Sequence, residues 1–142
     1  MTKAVRIKTT IIISLTNLII GNGFLFYGGL SSFTKDINYF LMTGMSIACI
    51  LFYYLFFSYS NFEKYGNLKL ILVSVLSCMA IISLGNVIAI AIKKPINDFF
   101  SNIPLTLLMG IMGNIIYFPI SLIMGLINFF ILTFLKTKRQ TS

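Results

Sequence analysis

Residues 99–135 read FFSNIPLTLLMGIMGNIIYFPISLIMGLINFFILTFL, a run without one charged side chain. An α-helix that crosses the hydrocarbon core of a bilayer needs about 20 apolar residues. A small soluble domain leaves much of its surface in water, and charged side chains have to cover that surface. The run is therefore typical of a membrane-spanning segment, and it predicts an integral membrane protein.

The composition of the whole chain agrees with this interpretation. Hydrophobic residues make up 58% of the 142 residues, and charged residues make up 10%. Soluble domains average about 45–50% and about 25%, respectively. A soluble globular enzyme is therefore excluded. A disordered chain is excluded as well, because disorder requires low hydrophobicity.

Three other runs without charge are also long enough to cross a bilayer: residues 9–34, 37–62 and 70–92. The strands of a membrane β-barrel alternate strictly between apolar and polar residues. Consecutive bulky residues such as Ile11, Ile12 and Ile13 break such alternation. Helices remain, because each backbone group in lipid has to be hydrogen-bonded within its own segment.

The chain is therefore predicted to be an all-α integral membrane protein, with residues 1–142 forming a single polytopic domain. It is expected to contain four transmembrane helices in a compact bundle. The predicted spans are approximately residues 9–30, 37–59, 69–92 and 103–135.

The fourth span is longer than one crossing requires. A straight helix over residues 103–135 would be about 50 Å long at about 1.5 Å per residue. Pro119 lies near its middle, and the missing N–H and the ring of proline predict a kink there. Two arrangements are open. One is a single long, kinked helix, and the other is a hairpin of two half-helices that places the C-terminal end on the opposite side of the membrane.

The positions of lysine and arginine favour the single kinked helix. In a four-span arrangement, one side of the membrane carries both chain ends and most basic residues: Lys3, Arg6, Lys8, Lys64, Lys69, Lys136, Lys138 and Arg139. The other side carries Lys35, Lys93 and Lys94. Because basic residues mark the cytoplasmic side, the pattern predicts that the N- and C-termini are cytoplasmic. Five spans would place the basic C-terminal tail outside.

The net charge of +8 is divided among the segments that flank the spans. It therefore predicts attraction to anionic lipid at the cytoplasmic face rather than binding to nucleic acid. The abundance of Ile, Phe, Asn and Lys is typical of an AT-rich bacterial genome. The expected location is the bacterial cytoplasmic (inner) membrane.

The chain lacks the residues that most membrane chemistry requires. It has no histidine, and its acidic residues, Asp36, Glu63 and Asp98, all fall in predicted loops. Ion coupling places a charged side chain within a span, and a metal site requires clustered His, Cys or carboxylate ligands. The sequence therefore predicts no enzyme, no cofactor and no metal site. Cys49 and Cys78 fall in mid-span, where cysteine acts as a small hydrophobic residue.

Small and polar residues recur at helical spacing within the spans. Small residues let helices approach closely in lipid. An amide without a partner in an apolar medium is costly, so the asparagines are predicted to face the bundle interior, available to bond to one another. The predicted packing or partner-binding residues are Asn17, Gly21, Gly44, Ala48, Gly85, Ala89, Gly110, Asn114, Tyr117, Ser121, Gly125 and Asn128. Three roles are open: packing within the bundle, contact with a partner membrane protein, or a polar pathway.

Helix faces suited to interaction, without catalytic residues, favour a non-catalytic multi-pass inner-membrane protein that acts through helix–helix contacts in the bilayer. It would be an accessory subunit or a bacteriocin-immunity-type protein. Pore-forming bacteriocin immunity proteins are similar in being small, polytopic and basic. The partner would be another membrane protein or a second copy of the chain. The alternative is a subunit of a small oligomeric transporter or channel for a neutral solute.

Overall fold

The computed structural model describes residues 3–31, 37–93 and 103–140. Over these residues the chain forms helices and no strand, which confirms the predicted all-helical class. The helices are α1 (Lys3–Ser31), α2 (Tyr39–Tyr59), the short 3-10 helix Phe62–Lys64, α3 (Asn67–Lys93), α4 (Ile103–Ile116) and α5 (Phe118–Gln140). The predicted loop residues Lys35, Asp36, Lys94 and Asp98 lie outside the described residues.

Four of the described helices are long and apolar enough to cross a bilayer, as the sequence predicted. The candidate spans are Lys3–Gly28, Tyr39–Tyr59, Asn67–Lys93 and Phe118–Lys138. α1 begins before the predicted span and includes the basic residues that precede it. A helix can continue through such residues because their aliphatic stems lie on apolar surface while their charged groups reach water.

One end of the helices holds two cations against backbone carbonyls. The Arg6 guanidinium in α1 donates to the carbonyl oxygen of Ser58, near the end of α2, at 3.0 Å. The Lys136 ammonium in α5 donates to the carbonyl oxygen of Tyr65, just before α3, at 2.9 Å. The start of α1, the α2–α3 loop and the end of α5 therefore meet at one end, which we call the basic end.

α4 and α5 are joined without a loop. A single turn residue, Tyr117, separates them, two positions before Pro119. Proline has no N–H to donate to the carbonyl of Ile115, and its ring crowds that carbonyl. The bonds from Tyr117 N to Gly113 O and from Ser121 N to Tyr117 O, both 2.9 Å, keep the helical spacing on either side of the turn.

α4 and α5 follow α3 in one direction, towards the basic end. Asn114 of α4 donates to Ser83 of α3. Gly125 of α5 lies against Val75, which is earlier in α3 and nearer the basic end. In a hairpin, α5 would instead return along the path of α4. α4 by itself is about 21 Å long, less than the hydrocarbon core of about 30 Å.

Glycines bring α2, α3 and α5 into close backbone contact. A Cβ built at Gly44 of α2 would lie 2.7 Å from the backbone nitrogen of Ala89 in α3, and Gly85 faces α2 in the same way. A Cβ at Gly125 of α5 would lie 2.8 Å from the Cα of Val75. These positions therefore accept only glycine at the observed helix separation, which is the close approach that favours helix association in lipid.

Large apolar side chains fill the half of the helix assembly nearer the basic end. The most deeply buried are Ile13, Phe57, Phe62, Leu70 and Leu132, each at most 4% exposed. Phe57 packs edge to face on Phe62, with ring centroids 5.7 Å apart. This half is a close-packed apolar core.

Candidate functional site

Four polar side chains, one from each long helix, meet in the interior and form what we call the amide cluster: Asn17, Tyr53, Cys78 and Asn128. The Asn17 amide nitrogen donates to Asn128 Oδ1 at 2.7 Å, and the Asn128 amide nitrogen donates back to Asn17 Oδ1 at 3.2 Å. Asn128 Nδ2 also lies 2.9 Å from the Tyr53 hydroxyl oxygen and 3.3 Å from Cys78 Sγ. The cluster therefore connects α1, α2, α3 and α5.

Burial makes these hydrogen bonds matter. Asn128 is 1% exposed and Tyr53 is 3% exposed, and an unpaired polar group at such positions is costly. Asn17 also donates to the carbonyl oxygen of Ile13 at 2.8 Å. Because these amides are satisfied only when the correct helix faces meet, the cluster specifies how the helices are rotated against one another.

The amide cluster lies near the middle of the candidate spans. On α1, Asn17 follows Lys8 by nine residues, and on α5, Asn128 precedes Lys136 by eight. At about 1.5 Å per residue, each asparagine lies about 12–14 Å from a basic residue at the end of its span. This distance is close to half of a hydrocarbon core about 30 Å thick.

A cavity of about 90 Å³ begins at the amide cluster and extends away from the basic end. Residues of all four long helices line it, and none of them is charged. Asn17 and Cys78 line its inner end, while Gly21 and Tyr117 line it farther from the basic end. We call this space the α1–α5 cavity.

The α1–α5 cavity is open beside α1. A Cβ built at Gly21 has no heavy atom of the described residues within 4 Å, in contrast to the glycines between α2, α3 and α5. Phe24, which also lines the cavity, is 43% exposed. α1 packs mainly on α2 and touches α5 at few positions. The cavity therefore reaches the outer, apolar surface of the helix assembly between α1 and α5.

Polar side chains on the cavity wall donate hydrogen bonds within the protein. Asn22 Nδ2 donates to Ser46 Oγ at 3.0 Å, and that hydroxyl donates to the carbonyl oxygen of Met42 at 2.8 Å. The Ser121 hydroxyl donates to the carbonyl oxygen of Tyr117 at 3.1 Å. A buried water needs about two to four polar partners, and most of the cavity wall is apolar. The wall favours an apolar guest.

The residues predicted to pack or bind fall into several places. Five of them lie at buried positions within the helix assembly: Gly44, Ala48, Gly85, Ala89 and Gly125. Asn17 and Asn128 belong to the amide cluster. The wall of the α1–α5 cavity includes Asn17, Gly21, Tyr117 and Ser121. The α3–α4 contact takes Gly110 and Asn114, which lie against Ser83.

Several residues of the site were not assigned to it from the sequence, among them Asn22, Ser46, Tyr53 and Cys78. Cys78 shares a helical face with Gly85 and Ala89, and that shared face is the signal that could have included it. Tyr53 lies opposite Gly44 on an ideal helix, so the small-residue pattern of α2 points away from it. Its partner comes from α5, which no periodicity within α2 can indicate.

The chemistry available at the site is that of neutral groups. Among the described residues, no three His, Cys, Asp or Glu side chains are placed to hold a metal ion. Cys49 and Cys78 are buried free thiols. The site therefore has neutral polar groups beside an apolar wall. Such a wall recognises a bound molecule by its shape and by apolar contact.

Comparison of the chain with known protein families, with curated proteins and with solved structures finds no match. The function therefore has to be inferred from the amide cluster and the α1–α5 cavity themselves.

Proposed function

We propose that the protein is a small non-catalytic multi-pass membrane protein, an accessory subunit or an immunity-type protein, that binds another membrane component within the bilayer. The observation that carries the proposal is the α1–α5 cavity, a neutral recess that opens onto an apolar surface. At Gly44, Gly85 and Gly125, glycine brings the helices into contact too close for any larger residue. At Gly21 the same residue type leaves space for another molecule.

The neutral interior supports binding rather than catalysis. Among the described residues, the sole acidic side chain is that of Glu63, in the 3-10 helix at the basic end. The α1–α5 cavity is lined by no carboxylate, imidazole or amine that could serve as a general acid or base. A cavity of this kind is suited to holding a molecule rather than transforming it.

The proposed topology follows from the basic end. Basic residues flank the cytoplasmic ends of spans, so the basic end, with Arg6 and Lys136, is assigned to the cytoplasmic face of a bacterial inner membrane. α4 and α5 then form one bent crossing along α3, the four crossings form a compact bundle, and both chain ends share the cytoplasmic side. Anionic lipid is attracted to this face by the same charges.

A photocrosslinking amino acid in place of Phe24 is expected to capture a discrete membrane component in the native membrane. Phe24 is the suitable position because it lines the cavity and is also exposed at its opening. Leu76 of α3 is the matched control, because it is 59% exposed and does not line the cavity. The adducts are identified by gel shift and mass spectrometry.

A defined adduct at Phe24 that is absent at Leu76 supports the proposal. Tyr117, which also lines the cavity, is a second position for the crosslinker. Identical products at Phe24 and Leu76, or no product at either Phe24 or Tyr117, would show that the cavity is not a binding site in the native membrane. A second copy of the chain as the captured molecule identifies a self-associating protein.

A transporter or channel subunit has less support. Two of the asparagines that were predicted to line a pathway, Asn17 and Asn128, bond to each other, and the third, Asn114, donates to Ser83 of α3. On the side of the basic end, large apolar side chains such as Phe57 and Leu132 close the interior. A solute in the α1–α5 cavity therefore has no continuation towards the basic end in this arrangement.

Cys49 and Cys78 provide a direct test of this alternative, since they are the two cysteines of the chain and both line the cavity. A membrane-impermeant maleimide is expected to leave both unlabelled from either side of intact vesicles, because the cavity opens to lipid rather than to water. A K64C variant provides the positive control, since Lys64 is exposed at the basic end. Labelling of Cys78 at a rate close to that of the control would favour a water-filled pathway.

A further inference from the structure

We infer that the α1–α5 cavity holds one hydrocarbon chain, supplied by a membrane phospholipid or by a free fatty acid. The inference rests on the proposed function and specifies what the cavity binds. It is carried by the volume of the cavity, by the chemistry of its wall and by its position along the spans.

The volume excludes a partner helix inside the cavity. A helix with its side chains is about 10–12 Å in diameter, whereas the cavity has about 90 Å³ of space. An apolar cavity of about 150 Å³ in another protein binds benzene or xenon. A space of this order accepts the narrow end of an alkyl chain.

The wall excludes a charged or strongly polar guest. None of the lining residues is charged, and an unpaired charge in an apolar interior is strongly disfavoured. One amide N–H of Asn22 and the hydroxyl hydrogens of Ser46 and Ser121 are engaged within the protein. Leu18, Ile82 and similar side chains provide most of the remaining contact surface, which matches methylene groups.

The position of the cavity matches the end of an acyl chain. Its inner end is the amide cluster, near the middle of the spans, and its lining residues on α1 continue from Asn17 to Leu25, away from the basic end. Acyl chains of the leaflet opposite the basic end run along this half of the helices, and their terminal methyl groups reach the middle of the bilayer. A chain that enters beside Gly21 therefore ends against Asn17 and Cys78.

The test uses the purified full chain in vesicles that contain a phospholipid with a diazirine at the end of one acyl chain. After illumination, adducts are mapped by mass spectrometry. Wild-type protein is expected to concentrate label on cavity residues such as Leu18 and Ile82, above the level on a freely lipid-exposed residue such as Leu76. Equal labelling of Leu76 and of the cavity residues overturns the inference.

Gly21→Leu is expected to reduce the labelling of cavity residues roughly tenfold or more, because its side chain takes the place of at least two methylene groups and each buried methylene changes occupancy about fourfold. Gly23→Leu is the matched control. Gly23 also has open space around it, but it lies on the other side of α1 and does not line the cavity. Unchanged labelling in Gly21→Leu, with a wild-type circular dichroism spectrum, contradicts the inference.

A second arm supplies a diazirine fatty acid to vesicles of unmodified phospholipid. Cavity labelling in this arm alone assigns the site to a free fatty acid, and labelling in the first arm alone assigns it to a phospholipid. A protein captured at Phe24 in the native membrane, without cavity labelling in either arm, overturns the inference while the proposed function stands. If crosslinking at Phe24 captures nothing and neither arm labels the cavity, both the inference and the proposed function are wrong.

Discussion

Replacement of Asn128 by leucine is expected to lower the free energy of unfolding by about 2 kcal/mol. Asn128 Oδ1 accepts from Asn17 Nδ2, and the two hydrogens of Asn128 Nδ2 are shared among Asn17, Tyr53 and Cys78. The side chain thus makes about three hydrogen bonds, and such bonds between membrane helices average about 0.6 kcal/mol each. Leucine has a similar size, so the change removes polar contacts without opening a large cavity. Unfolding in mixed detergent micelles, followed by circular dichroism, measures the difference.

A double-mutant cycle with Asn17→Leu separates the energy of the Asn17–Asn128 pair from that of the other contacts of Asn128. Once Asn128 is replaced, Asn17 has already lost its main partner, so adding Asn17→Leu is expected to cost less than it does alone. The double variant can even recover stability, because replacing both partners by apolar groups removes the unpaired amide. Additive losses would show that the two amides do not act as a pair.

Replacement of Gly44 by alanine is expected to lower the free energy of unfolding by about 1–3 kcal/mol, the range for overpacking a filled interior. The new Cβ would meet the Gly85 carbonyl oxygen and the Ala89 nitrogen of α3. Both are backbone atoms, which cannot turn aside as a side chain can. α2 and α3 therefore have to separate, and the same unfolding experiment records the loss.

Gly23→Ala is the control for this effect, because in the part of the chain that the structure describes no heavy atom lies within 4 Å of a Cβ built at Gly23. It makes the same chemical change at a helical position without close packing and is expected to cause no loss of stability. Similar destabilisation by Gly44→Ala and Gly23→Ala would mean that the α2–α3 contact is looser than the structure describes.

The number and type of the candidate spanning helices could be predicted because charged residues separate the long apolar runs of this chain. Lysines and arginines end the apolar runs, and a run of more than about 20 uncharged residues has one stable form in lipid. The position of the turn before α5 is a finer matter. Pro119 predicts a kink; the structure has a single turn residue, Tyr117, two positions before it, and proline disturbs the helical turn that precedes it.

The partners within the site could not be predicted from periodicity. Periodicity assigns Asn17 to one face of α1 and Asn128 to one face of α5, yet it does not state which helices are neighbours or how they are rotated. The bond between these asparagines joins positions 111 residues apart.

The type of a residue also does not predict how closely it is packed. Gly21 and Gly44 both belong to predicted packing faces, but one has open space around it and the other has none. The difference depends on the distances between helices, which are set by every side chain in the interfaces together.

The separation between Asn17 and Asn128 also has a consequence for biogenesis. Helices enter the membrane in the order of synthesis, so α1 is inserted while its amide partner on α5 is still to be made. Until α5 arrives, the Asn17 amide nitrogen donates to the carbonyl oxygen of Ile13 in its own helix, and its Oδ1 gains the Cys78 thiol once α3 is in place. Helix α5 therefore completes the hydrogen bonding of α1, and a chain interrupted before residue 128 leaves the Asn17 amide without its Asn128 partner.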